Sequence, residues 1–138
     1  MKKLQPKDYD WESKGVFKKF RQHEFTDVGL FATTGLKTHG FLFYPNTCLE
    51  ESCHIHFLLH GCGGQGDYII KLTQYAEYAV SNNIILVSPQ ITKDEDCHDT
   101  FAYTGEEFAT LNGVQPQFYR KIVEKLTGER PGSFFNLF

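Results

Sequence analysis

The chain has 138 residues, enough for one domain. Hydrophobic residues make up 41% and charged ones 22%, which is the balance of a globular protein and not of a disordered chain. A net charge of −3 argues against a nucleic-acid or anionic-membrane surface, and no apolar run reaches the ~18–20 residues that span a bilayer.

Residues 1–20 form a polar leading segment with scattered aromatics, ahead of a domain over 21–138. The start, "MKKLQPKDYDWESKG", is basic but lacks the apolar stretch of a signal peptide. From Gly29 the pattern is β-like. "LFATTGL" (30–36) and "HGFLFYP" (39–45) are short and rich in Phe and Thr, and Lys37-Thr38 with Gly40 predicts an N-terminal β-hairpin between them. Pro45-Asn46-Thr47 ends the second strand.

"HIHFLLH" (54–60) is the next predicted strand, with Ile55, Phe57 and Leu59 on one face and His54, His56, Leu58 and His60 on the other. Apolar residues on both faces predict cover on both sides, as in a parallel sheet. The glycine turn "HGCGGQG" (60–66) follows. Asp67 is placed to cap a helix in which Ile69, Leu72, Ala76, Ala79 and Val80 recur near helical spacing up to Asn82-Asn83. "IILVSPQ" (84–90) is an apolar strand stopped by Pro89. Strand, glycine turn, helix and strand make a βαβ unit, so the fold class is α/β. Residues 91–113 show no period, and a loop that long is usually functional. "QPQFYRKIVEKLTG" predicts a C-terminal helix, with Pro116 in its first turn and Tyr119, Ile122, Val123 and Leu126 on its apolar face.

Four cysteines, Cys48, Cys53, Cys62 and Cys97, allow two disulfides in three pairings. Cys48 with Cys53 across "CLEESC", and then Cys62 with Cys97, is one arrangement; four reduced thiols is the other reading. The glycine turn itself has three readings. A phosphate loop requires GxxxxGK[ST] or GxGxxG, and "GCGGQG" matches neither. A zinc site would draw on His54, His56 and His60, with Cys53, Cys62, Cys97 and His98 as further ligands, although CxxC and HExxH are both missing. An oxyanion hole fits best: glycine lets the backbone approach a substrate, and the next N–H points at the oxygen that gains charge. No metal and no cofactor are expected.

"GFLFYPNTCLEESCHIHFLLHGCGGQGD" and "NNIILVSPQ", with "FRQHEF" upstream and "CHDTFAYTG…FATLNGVQPQF" downstream, resemble the catalytic domain of polyhydroxybutyrate depolymerases. These are secreted esterases with a circularly permuted α/β-hydrolase fold, and the resemblance runs from about Trp11 to Thr127. It implies a partial α/β-hydrolase fold corresponding to the C-terminal portion of that domain, and a secreted ester hydrolase. It places the Cys62 backbone N–H in the oxyanion hole, with Gly61 shaping the turn. Phe101, Tyr103 and Asp99 become candidates for a substrate cleft, where the family has two Trp flanking an Asp and this chain has His98-Asp99-Thr100.

The family's Ser, Asp and His triad lies upstream of that segment. Here there is no GxSxG, and none of Ser13, Ser52, Ser81, Ser88 and Ser133 sits in a glycine-rich elbow. The expectation is therefore a chain that supplies the oxyanion half of an ester hydrolase and is inactive until a triad-bearing half completes it. The alternative is a non-catalytic binding or assembly module on the same fold. In α/β hydrolases the strand ending in His-Gly lies beside the nucleophile strand, so 54–60 is expected to be an open edge and the chain to need a partner for stability.

Overall fold

The computed structural model describes residues 3–26, 34–64, 66–92 and 97–128. Its centre is a four-stranded sheet of β1 (Gly15–Arg21), β2 (His39–Pro45), β3 (His54–Phe57) and β4 (Ile84–Ser88), in the order β1-β2-β4-β3. β1 and β2 pair antiparallel over seven residues, from Gly15 opposite Pro45 to Arg21 opposite His39. β2 pairs antiparallel with β4, and β3 pairs parallel with β4 from His54 opposite Ile84 to Phe57 opposite Val87. The parallel pair is joined by the expected crossover through α2 (Gly66–Leu72) and α3 (Tyr75–Asn82).

Side-chain alternation divides the core into two layers. Leu42 and Tyr44 of β2 and Ile85 and Val87 of β4 face α4 (Val114–Gly128), where Phe118 and Ile122 are buried among them. Phe43 and Leu86 face the other way and pack with Ile70, Ala76 and Ala79 of α2 and α3. Ile55 and Phe57 join the α4 layer, while His56 stacks on Tyr75 of α3 at 5.7 Å, as the alternation in "HIHF" predicts. The sheet is thus covered on both faces, which is why β4 reads as a continuous apolar run.

Several sequence expectations change. The predicted hairpin of 30–36 with 39–45 does not form: residues 30–33 lie outside the described residues, and Leu36 bridges Ile91 instead. The long antiparallel partner of 39–45 is β1, which follows α1 (Trp11–Lys14) and of which residues 15–20 fall within the expected polar leading segment. "GVFKKFR" carries three basic residues, which hides the strand from its hydropathy, and the Lys19 ammonium lies over the Phe41 ring at 5.9 Å. The single helix expected from Asp67 to Asn82 is two helices, because Gln74 takes a left-handed φ of 64° between them. Asp67 is inside the first turn, where its Oδ1 accepts the Tyr68 N–H at 2.9 Å. β3 ends at Phe57; Leu58 donates one more bond to Val87 O (2.8 Å) before the chain leaves the ladder. α4 begins and ends where expected, but its buried residues are Gln115, Phe118 and Ile122, with Tyr119 and Leu126 packed at the margin.

Candidate functional site

The glycine turn leaves the C-terminal end of β3, the end of a parallel strand at which α/β folds place their ligands. His60 is buried, and both ring nitrogens are occupied. The Ile91 N–H donates to Nε2 at 3.3 Å, which leaves Nδ1 as the protonated nitrogen, donating to Gly61 O at 2.8 Å. The Gly64 N–H donates to the same carbonyl at 3.0 Å, closing a turn in which Gly63 has a φ of 68°. Two donors therefore fix the direction of the Gly61 carbonyl. That carbonyl and the Cys62 N–H belong to one planar trans peptide, so they point opposite ways, and fixing one fixes the other. The Cys62 N–H itself has no acceptor among the described residues, and Cys62 is exposed.

Two disulfides form, Cys48–Cys53 and Cys62–Cys97, so the four thiols are not reduced. The second ties the turn to residues 97–104. This removes the thiolates from the zinc reading, since Cys53, Cys62 and Cys97 are all cystines. His54 and His56 are exposed on β3 while His60 is buried beyond its end, and no group of three or more His, Cys, Asp or Glu among the described residues is placed to hold a metal ion.

The 97–104 loop is built around Asp99. Its carboxylate accepts the N–H of Phe101 and Tyr103 (3.1 Å each), the N–H of Thr104 (2.8 Å) and the Thr104 hydroxyl (2.5 Å). Burial pushes this carboxyl up, but the four hydrogen bonds outweigh it and hold it below the ordinary range. Tyr103 donates from its hydroxyl to Cys97 O at 2.7 Å and accepts from Gln115 Nε2 at 2.8 Å. Of the three cleft candidates, Asp99 and Tyr103 direct their polar atoms into the loop, and Phe101 is the exposed one at 77%.

His98, offered by the sequence only as a further zinc ligand, has other neighbours. Its ring lies 4.9 Å from that of His60, and its Nδ1 is 2.6 Å from the Tyr119 hydroxyl. Its Nε2 is buried with no partner among the described residues. Burial first, then the neighbouring His60, pushes His98 down from 6.5 to about 4, so it is neutral near pH 7. Burial likewise raises the Tyr119 hydroxyl, keeping it protonated.

Three glutamines escaped the sequence reading. Gln22, fully buried, donates to Lys37 O (2.7 Å) and Gln90 O (2.8 Å) and accepts the Gln90 N–H (2.9 Å). Gln90 accepts the Gly66 N–H at 3.0 Å, and Gln115 links Tyr103 to Thr34 O. Gln22 and Gln90 together clamp the segment after β4 against the start of α2, while Gln115 ties α4 to the 97–104 loop and to Thr34. A lone Gln carries no periodic signal; only its position in "FRQHEF" pointed to Gln22.

Three of the described serines make local hydrogen bonds. Ser13 and Ser81 donate to backbone carbonyls nearby, and Ser88, fully buried, donates to Leu58 O at 3.0 Å.

The architecture and the turn at the end of its parallel pair define a partial α/β-hydrolase fold. The solved structures that match are polyhydroxybutyrate depolymerases. The enzyme from Penicillium funiculosum superposes with a TM-score of 0.74 over 93% of this chain at 21% identity, and a depolymerase complexed with an R3HB trimer gives 0.69 over 85% at 24%. In sequence, the chain is 25% identical over 128 residues to the poly(3-hydroxybutyrate) depolymerase of Delftia acidovorans, covering 86% of this chain. It is 32% identical over 80 residues to the polyhydroxybutyrate depolymerase of Talaromyces funiculosus, covering 54%. The resemblance read from the sequence therefore holds for most of the chain. The chain spans 25% and 24% of the length of these curated relatives, and 45% and 42% of the solved structures. No family model matches.

Proposed function

We propose that this chain supplies the oxyanion-stabilising turn of a depolymerase-like ester hydrolase acting on hydroxyalkanoate esters. The observation that carries this reading is the locked Gly61–Cys62 peptide in an exposed stretch of the turn, whose Cys62 N–H has no acceptor among the described residues. A donor held still beforehand needs no reorganisation when an ester carbonyl gains negative charge, and one such donor is worth roughly 2.7–4 kcal/mol in the transition state. Gly61 shapes the turn, the Cys62–Cys97 disulfide tethers it, and Asp99 and Tyr103 hold the loop that presents Phe101 to an apolar substrate. The nucleophile comes from a separate triad-bearing half, since no serine here sits in a GxSxG elbow. Two disulfides favour an oxidising compartment.

The open side of β3 supports the need for that half. In a parallel strand the N–H and C=O of one residue point to the same side. His54 and Leu58 donate toward the β4 side, so the backbone groups of Ile55 and Phe57 point outward, at an edge with no neighbouring strand among those described. Leu59 beyond it is 51% exposed. The same edge favours a second reading, an assembly module without chemistry.

Titration with an alkylphosphonate monoester, a stable oxyanion, separates the two. The hydrolase reading expects the Cys62 amide proton to move downfield and to saturate. An unmoved Cys62 amide would leave the assembly reading. Turnover of p-nitrophenyl esters by this chain that survives replacement of every serine would overturn the assignment of chemistry.

A further inference from the structure

The direction of the Cys62 N–H depends on the ring of His60, whose Nδ1–H is one of the two donors to the Gly61 carbonyl. That ring is held at its edges by the 2.8 Å bond at Nδ1 and a longer one of 3.3 Å at Nε2. Gly64 closes on it from the turn. A Cβ there would lie 2.8 Å from Gly61 O, 2.9 Å from His60 Cβ and 3.2 Å from His60 Nδ1, so any side chain would push on the ring and on the carbonyl it holds. Among the described residues, the one ring packed against His60 is that of His98, with centres 4.9 Å apart and planes at 50°.

His98 is itself gripped from α4. The Tyr119 hydroxyl stands 2.6 Å from His98 Nδ1, and Gln115, one turn earlier on the same face, accepts the Asp99 N–H at 2.9 Å. On the other side of His98, Cys97 is bonded to Cys62, and its carbonyl accepts from the Tyr103 hydroxyl at 2.7 Å. The backbone is thus held before and after His98. The Tyr119 hydroxyl is the one polar hold on its ring, since Nε2 has no partner among the described residues. Tyr119 is well anchored: its ring packs on buried Phe118 at 5.5 Å and on Phe57 of β3 at 5.7 Å. A buried nitrogen without a partner destabilises a fold, and an apolar side chain in its place would not. Departures of this kind gather at functional sites.

We propose that Tyr119 and His98 are positioning residues of the oxyanion turn: Tyr119 sets the ring of His98, His98 sets the ring of His60, and His60 sets the Gly61–Cys62 peptide. Neither touches the substrate. An oxyanion donor acts only when it is aimed at the place where charge develops, and such aim is kept by side chains whose own rotamers are locked by packing and hydrogen bonds. What the turn does rests on the ester-hydrolase reading; the coupling from α4 to the turn does not.

The test follows the turn by NMR in the full chain. The Gly64 N–H, which donates to the Gly61 carbonyl, reports opening of the turn through its hydrogen exchange. Tyr119→Phe removes the hydroxyl, keeps the ring packing and speeds that exchange about fivefold, the worth of one ordinary hydrogen bond. His98→Leu speeds it at least as much. The double variant matches His98→Leu alone, because Tyr119 acts through His98. Ile122→Val trims a buried residue of the same helix, lowers stability in urea and leaves Gly64 exchange unchanged. In Tyr119→Phe the affinity of an alkylphosphonate monoester falls by the same factor as the exchange rises. Wild-type exchange in Tyr119→Phe overturns the proposal, as do additive effects in the double variant. An equal response to Ile122→Val also overturns it and marks a structural role only. Faster exchange with unchanged phosphonate affinity overturns the link to the oxyanion site. Exchange is read without ligand, so a wild type whose Cys62 amide ignores the phosphonate refutes the oxyanion reading while exchange still decides the coupling.

Discussion

His98 is neutral in the folded chain because its ring is packed between His60 and Tyr119, with Nε2 buried and no partner for a second proton. His60 cannot help, since both of its nitrogens are engaged, and the neighbouring Asp99 carboxylate is turned into its own loop. In the unfolded chain the same imidazole takes its proton near 6.5; in the fold it does so only near 4. Between those values the unfolded state binds more protons, so stability is complete above the unfolded value and falls as pH drops toward the folded one. From pH 8 to pH 5 the two-pKa expression gives a loss of about 2 kcal/mol, and solvent screening of a half-buried ring reduces this to about 1 kcal/mol. The assay is urea unfolding at both pH values for wild type and His98→Phe, with the His98 Cε1 proton followed by NMR. The wild type should lose about 1 kcal/mol more than the variant between the two pH values. A His98 midpoint at or above 6.5, or a variant with the full wild-type pH slope, would refute the reasoning.

The two disulfides differ in the loop they close, with sequence separations of 35 and 5. Chain entropy assigns about 4 kcal/mol to Cys62–Cys97 and about 2 kcal/mol to Cys48–Cys53, so paired Cys→Ser variants should fall in that order in urea unfolding. The reverse order would show that strain or residual structure dominates. Gln22→Leu leaves the Gln90 N–H and two carbonyls without their buried partner and should destabilise by about 2–4 kcal/mol; a loss under about 1 kcal/mol would contradict the clamp. Ile55→Pro removes an outward N–H of β3 without breaking a bond to β4. If the open edge drives association, the wild type should grow in mass with concentration by light scattering while this variant stays monomeric. A wild type that is monomeric at every concentration, with a sharp cooperative melt, would count against the need for a partner.

The elements that the sequence predicted correctly are those whose pattern follows from their surroundings. β4 is buried on both sides and reads as "IILVS"; α4 has one apolar face and a clear end; "HIHF" alternates because one face packs on α4 and the other meets Tyr75. The turn at Gly61 and Cys62 was legible because glycines after a strand leave few alternatives. β1 was not legible, because it lies beside β2 and interrupts its apolar residues with Lys18 and Lys19, the latter with its ammonium over the Phe41 ring. The break at Gln74 was not legible either, since a left-handed Gln has no distinctive local signal.

By itself, the sequence determined an α/β chain, its βαβ unit, the glycine turn at the end of β3 and a likeness to depolymerases, because these depend on local periodicity and on motif order. Only the tertiary structure decided the cysteine pairing, the tautomer of His60 and the neutral state of His98. Each of these depends on groups distant in sequence meeting in space: Cys62 with Cys97, Ile91 with His60, Tyr119 with His98. A hydrogen bond or a ring contact leaves no mark on the order of residues, only on where the fold brings them.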